Sequence, residues 1–158
     1  MSSNSLKSHF YLDPEVTYLN FGSFGSCPKE IFEEYQKFQL ELEREPVQFI
    51  TRKGNEYLKK SREALSNFIH CHVDDIVFTM NPSYAVNIIA KSLPLQAGDE
   101  VLATNIEYGA CDKTWAYYCQ KHNAKYIRQK ISLPVRDNDQ IVQELFMACT
   151  ERTKLIFI

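Results

Sequence analysis

The apolar positions follow two different rhythms along the 158 residues. From Pro28 to about Arg44, Ile31, Tyr35, Phe38 and Leu42 recur at spacings of four, three and four. That pattern draws one apolar stripe on a helix. Pro28 stands where a first helical residue is favoured, and Glu45-Pro46 ends the segment, because the residue before a proline is pushed out of the α region. A second helix is predicted over 55–68, with Tyr57, Leu58, Leu65 and Phe68 inward and the charged residues 59, 60, 62 and 63 facing solvent.

From Asp75 onward short β-branched or aromatic runs alternate with helical patterns. Strands are predicted at 76–80, 100–104, 125–131 and 154–158, and helices at 82–93, 110–122 and 139–149. Strands separated by helices of ~10–15 residues argue for a parallel α/β sheet. Such sheets bind ligands beyond the carboxyl ends of their strands. Two loops therefore matter most: Asn81-Pro82-Ser83 after the first strand, and residues 105–109 after the second. Earlier in the chain, Thr17–Asn20 is a short extended run leading into Phe21-Gly22-Ser23-Phe24-Gly25-Ser26. The two glycines there allow positive φ or a close backbone approach to a ligand.

Composition narrows the function classes. A hydrophobic fraction of 44% is that of a globular protein. Eighteen basic against 20 acidic side chains, net −2, give no electrostatic footprint for nucleic acid or an acidic membrane. No apolar run approaches the ~18 residues of a membrane span. Five cysteines without a CxxC pair, behind an N-terminus lacking an apolar signal core, read as reduced thiols of a cytoplasmic protein. Residues 1–16 read as a flexible N-terminus, 17–70 as an arm with helices, and 71–158 as the α/β part.

Several motifs admit two readings. Asn81-Pro82-Ser83 is an N-cap with proline in the first turn, or an anion cradle built on unpaired helix N–H groups. Tyr108 is a packing aromatic or a platform for a flat ring. Three adjacent ligands in His70-Cys71-His72 cannot converge on one ion, so no metal site is assigned and a helix end is expected. Cys111 reads as a small buried residue, and Glu107 as part of a solvated loop. No catalytic residue is assigned.

The order of five segments carries a family resemblance. Residues 18–25, YLNFGSFG, resemble "YLNxGSFG"; Glu45–Phe49 resembles "NPVRF"; Asp74–Phe78 followed by Asn81–Asn87 resembles "DDLVF…NATTAVN"; Gly98–Leu102 resembles "GDEVL"; Glu107–Ala110 resembles "EYxA". The chain so resembles the class V aminotransferase group of fold-type I pyridoxal 5′-phosphate enzymes. Within that group it looks most like the isopenicillin N epimerase-like branch, relatives of the cysteine desulfurases. The resemblance implies an incomplete three-layer α/β/α large domain and an amino-acid substrate reacting at Cα, by epimerase, C–S lyase or aminotransferase chemistry. It implies that Asn81, Pro82 and Ser83 cradle the cofactor phosphate, that Tyr108 stacks on its ring, and that Asn20, Gly22 and Ser23 line the substrate side. It also implies a homodimer or a complementing chain.

Departures are visible. Pro82 has no N–H to offer a phosphate, and Gln48 stands where arginine is usual. The family's later Ser-His motif, its Asp for the pyridine nitrogen and its Schiff-base lysine have no counterpart among these residues. The chain is therefore expected to be inactive alone. A non-covalent phosphate-binding module and a subunit completed by a second chain remain the alternatives. In the family's sheet, strands from the later region lie beside the strand matched by 76–80, so that strand is expected to lack a neighbour here.

Overall fold

The computed structural model describes residues 6–158, so residues 1–5 of the expected flexible N-terminus lie outside the described residues. Contacts cluster into two units, one reaching Ile76 and one running from Val77 to Ile158.

In the first unit, Phe10 forms an isolated antiparallel bridge with Pro28, and Lys29 N–H donates to His9 O at 2.8 Å. The Lys7 ammonium donates to the carbonyls of Pro14 and Val16 at 3.0 and 3.2 Å. Helix α1 spans Lys29–Arg44. After Pro46–Gln48 a π-helical turn, Phe49–Lys53, runs directly into α2, Gly54–Ile69. The wide turn depends on Gly54. Its N–H donates to Phe49 O, five residues back, and a Cβ there would sit 3.0 Å from that same oxygen. The turn brings Phe38 and Phe49 onto Tyr57, with ring centroids 4.9 and 6.1 Å away. Tyr57 donates its hydroxyl to Glu41 Oε2 at 3.0 Å, and Lys53 Nζ donates to Glu41 Oε1 at 2.6 Å.

The predicted apolar stripes are only half used. Phe38, Leu42, Tyr57 and Leu65 are partly buried, whereas Ile31, Tyr35 and Leu58 are exposed and Phe68 is 81% exposed. Arg62, expected in solvent, is partly buried. Packing concentrates at the wide turn, while the amino-terminal end of α1 is met by the preceding segment, with the Tyr11 ring 5.7 Å from Phe32 and the Tyr11 hydroxyl donating to Glu33 Oε1 at 2.8 Å. Helix α2 stops at His70, which takes the left-handed conformation (φ 56°, ψ 49°) and donates its N–H to Ser66 O. His72 Nδ1 then accepts from Asp74 N–H at 3.3 Å. Two of the three adjacent Cys/His residues thus shape a helix end. No group of His, Cys, Asp and Glu among the described residues is arranged to hold a metal ion.

The second unit holds α3 (Pro82–Ser92), β1 (Glu100–Thr104), α4 (Gly109–Lys121), β2 (Lys125–Gln129), α5 (Asn138–Phe146) and β3 (Thr153–Phe157). The three strands pair in parallel in the order β2-β1-β3. A central strand of a parallel sheet is covered on both faces, and every residue of β1 is buried. Val101 packs in a cluster with Ala90, Leu95, Trp115 and Cys119, joined at its edge by Tyr126, Leu155 and Phe157. Trp115 meets the Phe157 ring at 5.9 Å. At the amino end of β1 the nearly buried Glu100 carboxylate accepts from Thr150 Oγ1 at 2.6 Å and from Lys125 Nζ at 3.4 Å. Gly98 has φ +86°, and a Cβ there would collide with the Arg152 guanidinium.

Three of the four predicted strands form the sheet. Residues 76–80 do not. Ile76 is extended (φ −103°, ψ 126°), but the stretch pairs with no described segment, and Val77 is 81% exposed. β-propensity makes such a run extended; only a neighbour's N–H and C=O groups make it a strand. Strand β2 ends two residues early, because Ile131 N–H turns to Asn105 Oδ1 at 2.8 Å. Helix α5 ends at Phe146 rather than Cys149, since the next residues close tighter turns, with Cys149 N–H donating to Phe146 O at 3.1 Å. No helix among the described residues is long and apolar enough to cross a membrane.

Candidate functional site

The carboxyl end of β1 feeds the loop 105–108 and then the first turn of α4. Thr104 donates its hydroxyl to Glu107 Oε1 at 2.5 Å, and Asn105 N–H continues the sheet pattern to Gln129 O at 2.9 Å. Glu107 is therefore a fixed loop member rather than a freely solvated side chain. Tyr108 is the residue before the first turn of α4 and accepts Asp112 N–H at 3.0 Å through its carbonyl. Its ring is 71% exposed and takes no part in any aromatic pair among the described residues. A ring so placed offers a bare face beyond the strand end.

The first turn of α3 shows where hydrogen-bonding capacity is used and where it remains. Asn81 is the N-cap, and its Oδ1 accepts Tyr84 N–H at 2.8 Å. Ala85 N–H donates to Asn81 O at 3.1 Å, and Pro82 has no N–H. Of the first-turn donors this leaves the Ser83 N–H, beside the Ser83 hydroxyl; neither has a partner among the described residues. The expected cradle thus reduces to Ser83, with Asn81 committed to capping through its oxygen and Pro82 holding the backbone in helical φ.

The two first turns are tied together. Asn87 Nδ2 donates to Ser83 O at 2.9 Å and to Thr114 Oγ1 at 3.1 Å, and Thr114 Oγ1 donates to Ala110 O at 2.9 Å. Sequence reading passed over both Asn87 and Thr114. The available signal was spacing: Asn87 lies four residues after Ser83, on the same helix face.

The charges and thiols nearby are settled by their surroundings. The Arg128 guanidinium holds Asp112 in a two-pronged pair, Nε to Oδ1 at 2.6 Å and Nη2 to Oδ2 at 3.0 Å. That pair lowers the Asp112 pKa against the opposing effect of desolvation. Arg128 also lies over the Tyr126 ring, 4.5 Å from its centroid. Burial pushes the Cys111 thiol up, reinforced by Glu107, and pushes Cys119 to about 11. Neither thiol is a nucleophile at neutral pH.

Asn20, Gly22 and Ser23 belong to the first unit and are exposed. Asn20 O accepts Phe24 N–H at 3.0 Å and the Tyr18 hydroxyl at 3.4 Å, and the same hydroxyl reaches Phe24 O. Neither Gly22 nor Gly25 adopts positive φ. The room beside Gly22 is open, with nothing within 4 Å of an added Cβ.

The second unit is a parallel α/β unit whose first two helices are tied together at their first turns. The solved complex of the cystine C–S lyase C-DES with its reaction product, cysteine persulfide, shares the fold. Its TM-score is 0.79 at 21% identity, over 90% of this chain and 38% of that one. The aminotransferase class-V family model matches residues 18–158, and the chain belongs to that family. Isopenicillin N epimerase of Streptomyces clavuligerus is 30% identical over 151 residues, covering 96% of this chain and 38% of the relative. The enzyme of the same name from Amycolatopsis lactamdurans is also 30% identical, over 92% of this chain and 37% of its own length. The chain thus spans less than two fifths of these relatives.

Proposed function

We propose that this chain provides the phosphate cradle and ring platform of a pyridoxal 5′-phosphate-dependent enzyme acting on an amino acid at Cα. Ser83 carries the reading: its N–H and hydroxyl are unspent at the start of a helix, where the aligned peptide dipoles favour an anion. These donors fit a phosphate, and the bare Tyr108 ring fits a planar heterocycle. When bound, the cofactor supplies an electron sink for charge developing at the substrate Cα. Ser83 would hold the phosphate, and Tyr108 would shield one ring face from water. Epimerisation, C–S cleavage and transamination share this use of the residues. The resemblance assigns the covalent anchor to none of the lysines of these 158 residues, so in this reading the anchor comes from outside them.

Titration of the chain with pyridoxal 5′-phosphate, followed by borohydride, tests the reading. Saturable reversible binding that Ser83→Ala weakens is expected, without a stoichiometric adduct at one lysine. Equal binding by Ser83→Ala removes the cradle. A single defined lysine adduct shows that the chain carries its own anchor.

A further inference from the structure

The bridge between α3 and α4 occupies a special place. Ser83 and Ala110 are each the second residue of their helices. Their carbonyls are the two ends of a hydrogen-bonded chain that runs Ser83 O, Asn87 Nδ2, Thr114 Oγ1, Ala110 O. The carbonyls point along the helices, away from the ligand side, while the N–H groups of the same residues point toward it. The orientation of the Asn87 amide is fixed by chemistry: Ser83 O can only accept, so Nδ2 must face it. The Thr114 hydroxyl has one proton, which Ala110 O takes, leaving a lone pair for Asn87. The Asn87 amide protons, the Thr114 hydroxyl and both carbonyls are thus matched in one arrangement.

We infer that Asn87 and Thr114 are positioning residues that set the Ser83 donors against the Tyr108 ring. The inference rests on the cofactor reading of Ser83 and Tyr108. Neither Asn87 nor Thr114 touches the ligand; each acts through the first turn it holds. Without the bridge, α3 and α4 still pack, but the first turns are free to slide by fractions of an ångström, and a ligand gripped at both ends loses one grip.

Trp115, the sole tryptophan, follows Thr114 and reports binding by fluorescence quenching. With pyridoxal 5′-phosphate as the probe, Thr114→Val and Asn87→Ala are each expected to raise Kd about threefold to tenfold, the range of one lost hydrogen bond. The double variant should cost little more than either single one, because both break the same chain. Thr114→Ser, which keeps the hydroxyl, should bind like the unaltered chain. Melting midpoints should stay within a few degrees of one another. Unchanged affinity in Thr114→Val, or Thr114→Ser as weak as Thr114→Val, overturns the inference. Ser83→Ala separates the two claims. If it weakens binding and Thr114→Val does not, the cradle stands and the positioning role falls. If it binds normally, or the unaltered chain shows no saturable quenching, the cradle falls and the positioning role falls with it.

Discussion

At the scale of single residues, two positions show how local backbone and local burial set behaviour. His70 sits in left-handed helical space, where a Cβ costs an L-residue roughly 1–2 kcal/mol. Glycine relieves that strain and carries its own entropy cost of about 0.5–1 kcal/mol in the unfolded chain. His70→Gly should therefore stabilise the fold by up to about 1 kcal/mol, read as a rise in the denaturant midpoint. The cysteines divide by burial in the same way. Cys27 and Cys71 are exposed, whereas Cys111 and Cys119 are buried with raised pKa values. Iodoacetamide at neutral pH, followed by mass mapping, should label Cys27 and Cys71 first and spare Cys111 and Cys119 until denaturant is added. Ready alkylation of Cys119 in the folded chain would contradict its place beside Trp115.

At the scale of elements, the tie between α4 and β2 depends on pH. Arg128 lowers the folded-state pKa of Asp112 below 3.8. A depressed carboxylate pKa contributes stability that is fully present above the unfolded value and is lost as pH falls through the folded one. Asp112→Asn should therefore lower the melting midpoint at pH 7 and have a smaller effect at an acidic pH below the ordinary aspartate range, where the ion pair's contribution declines as the carboxylate of the unaltered chain takes up its proton. An equal deficit at both pH values would assign the effect to packing. The elements also show what the sequence made legible. Helices α1 to α5 lie within a few residues of their predicted spans, because stripe spacing and N-terminal signals such as Pro28 and Asn81-Pro82 act locally. The wide turn before α2 escaped prediction. It depends on the missing Cβ of Gly54 and on where Phe49 finds Tyr57, and neither changes the apolar period. For the candidate site, loop position and the family resemblance single out Ser83 and Tyr108, but the bridge through Asn87 and Thr114 joins residues 27 apart, and no local pattern announces it.

At the scale of the whole molecule, apolar surface is the main feature. Val77, Met80, Ile88, Ile89, Val142 and Phe146 in the second unit are exposed, as are Ile31, Tyr35 and Phe68 in the first. Stripes that in a closed fold would be covered lie open, and exposed apolar surface with an unpaired extended segment favours association. The chain should bind an environment-sensitive hydrophobic dye while folded and should elute as concentration-dependent assemblies in size exclusion. Val77→Lys with Met80→Lys should shift elution toward monomer with little change in melting midpoint, since neither residue contributes to the core. A dye-silent monomer at all concentrations would show that these faces are covered in solution.

The sequence by itself determined which segments are helical, which are extended, and that the loop 105–108 follows a strand, since periodicity, proline and capping residues act within a few positions of themselves. The ordered motifs from Tyr18 to Ala110 also located the family. Tertiary structure decided three further matters: that β1 is the sheet's centre while 76–80 stays outside it, that Asn81 spends its oxygen on Tyr84 and leaves Ser83 the free donor, and that α3 and α4 share one hydrogen-bonded bridge. Each depends on which groups meet across distant parts of the chain. A strand is made by its neighbours, and a donor is free only when no other group in the fold has taken it.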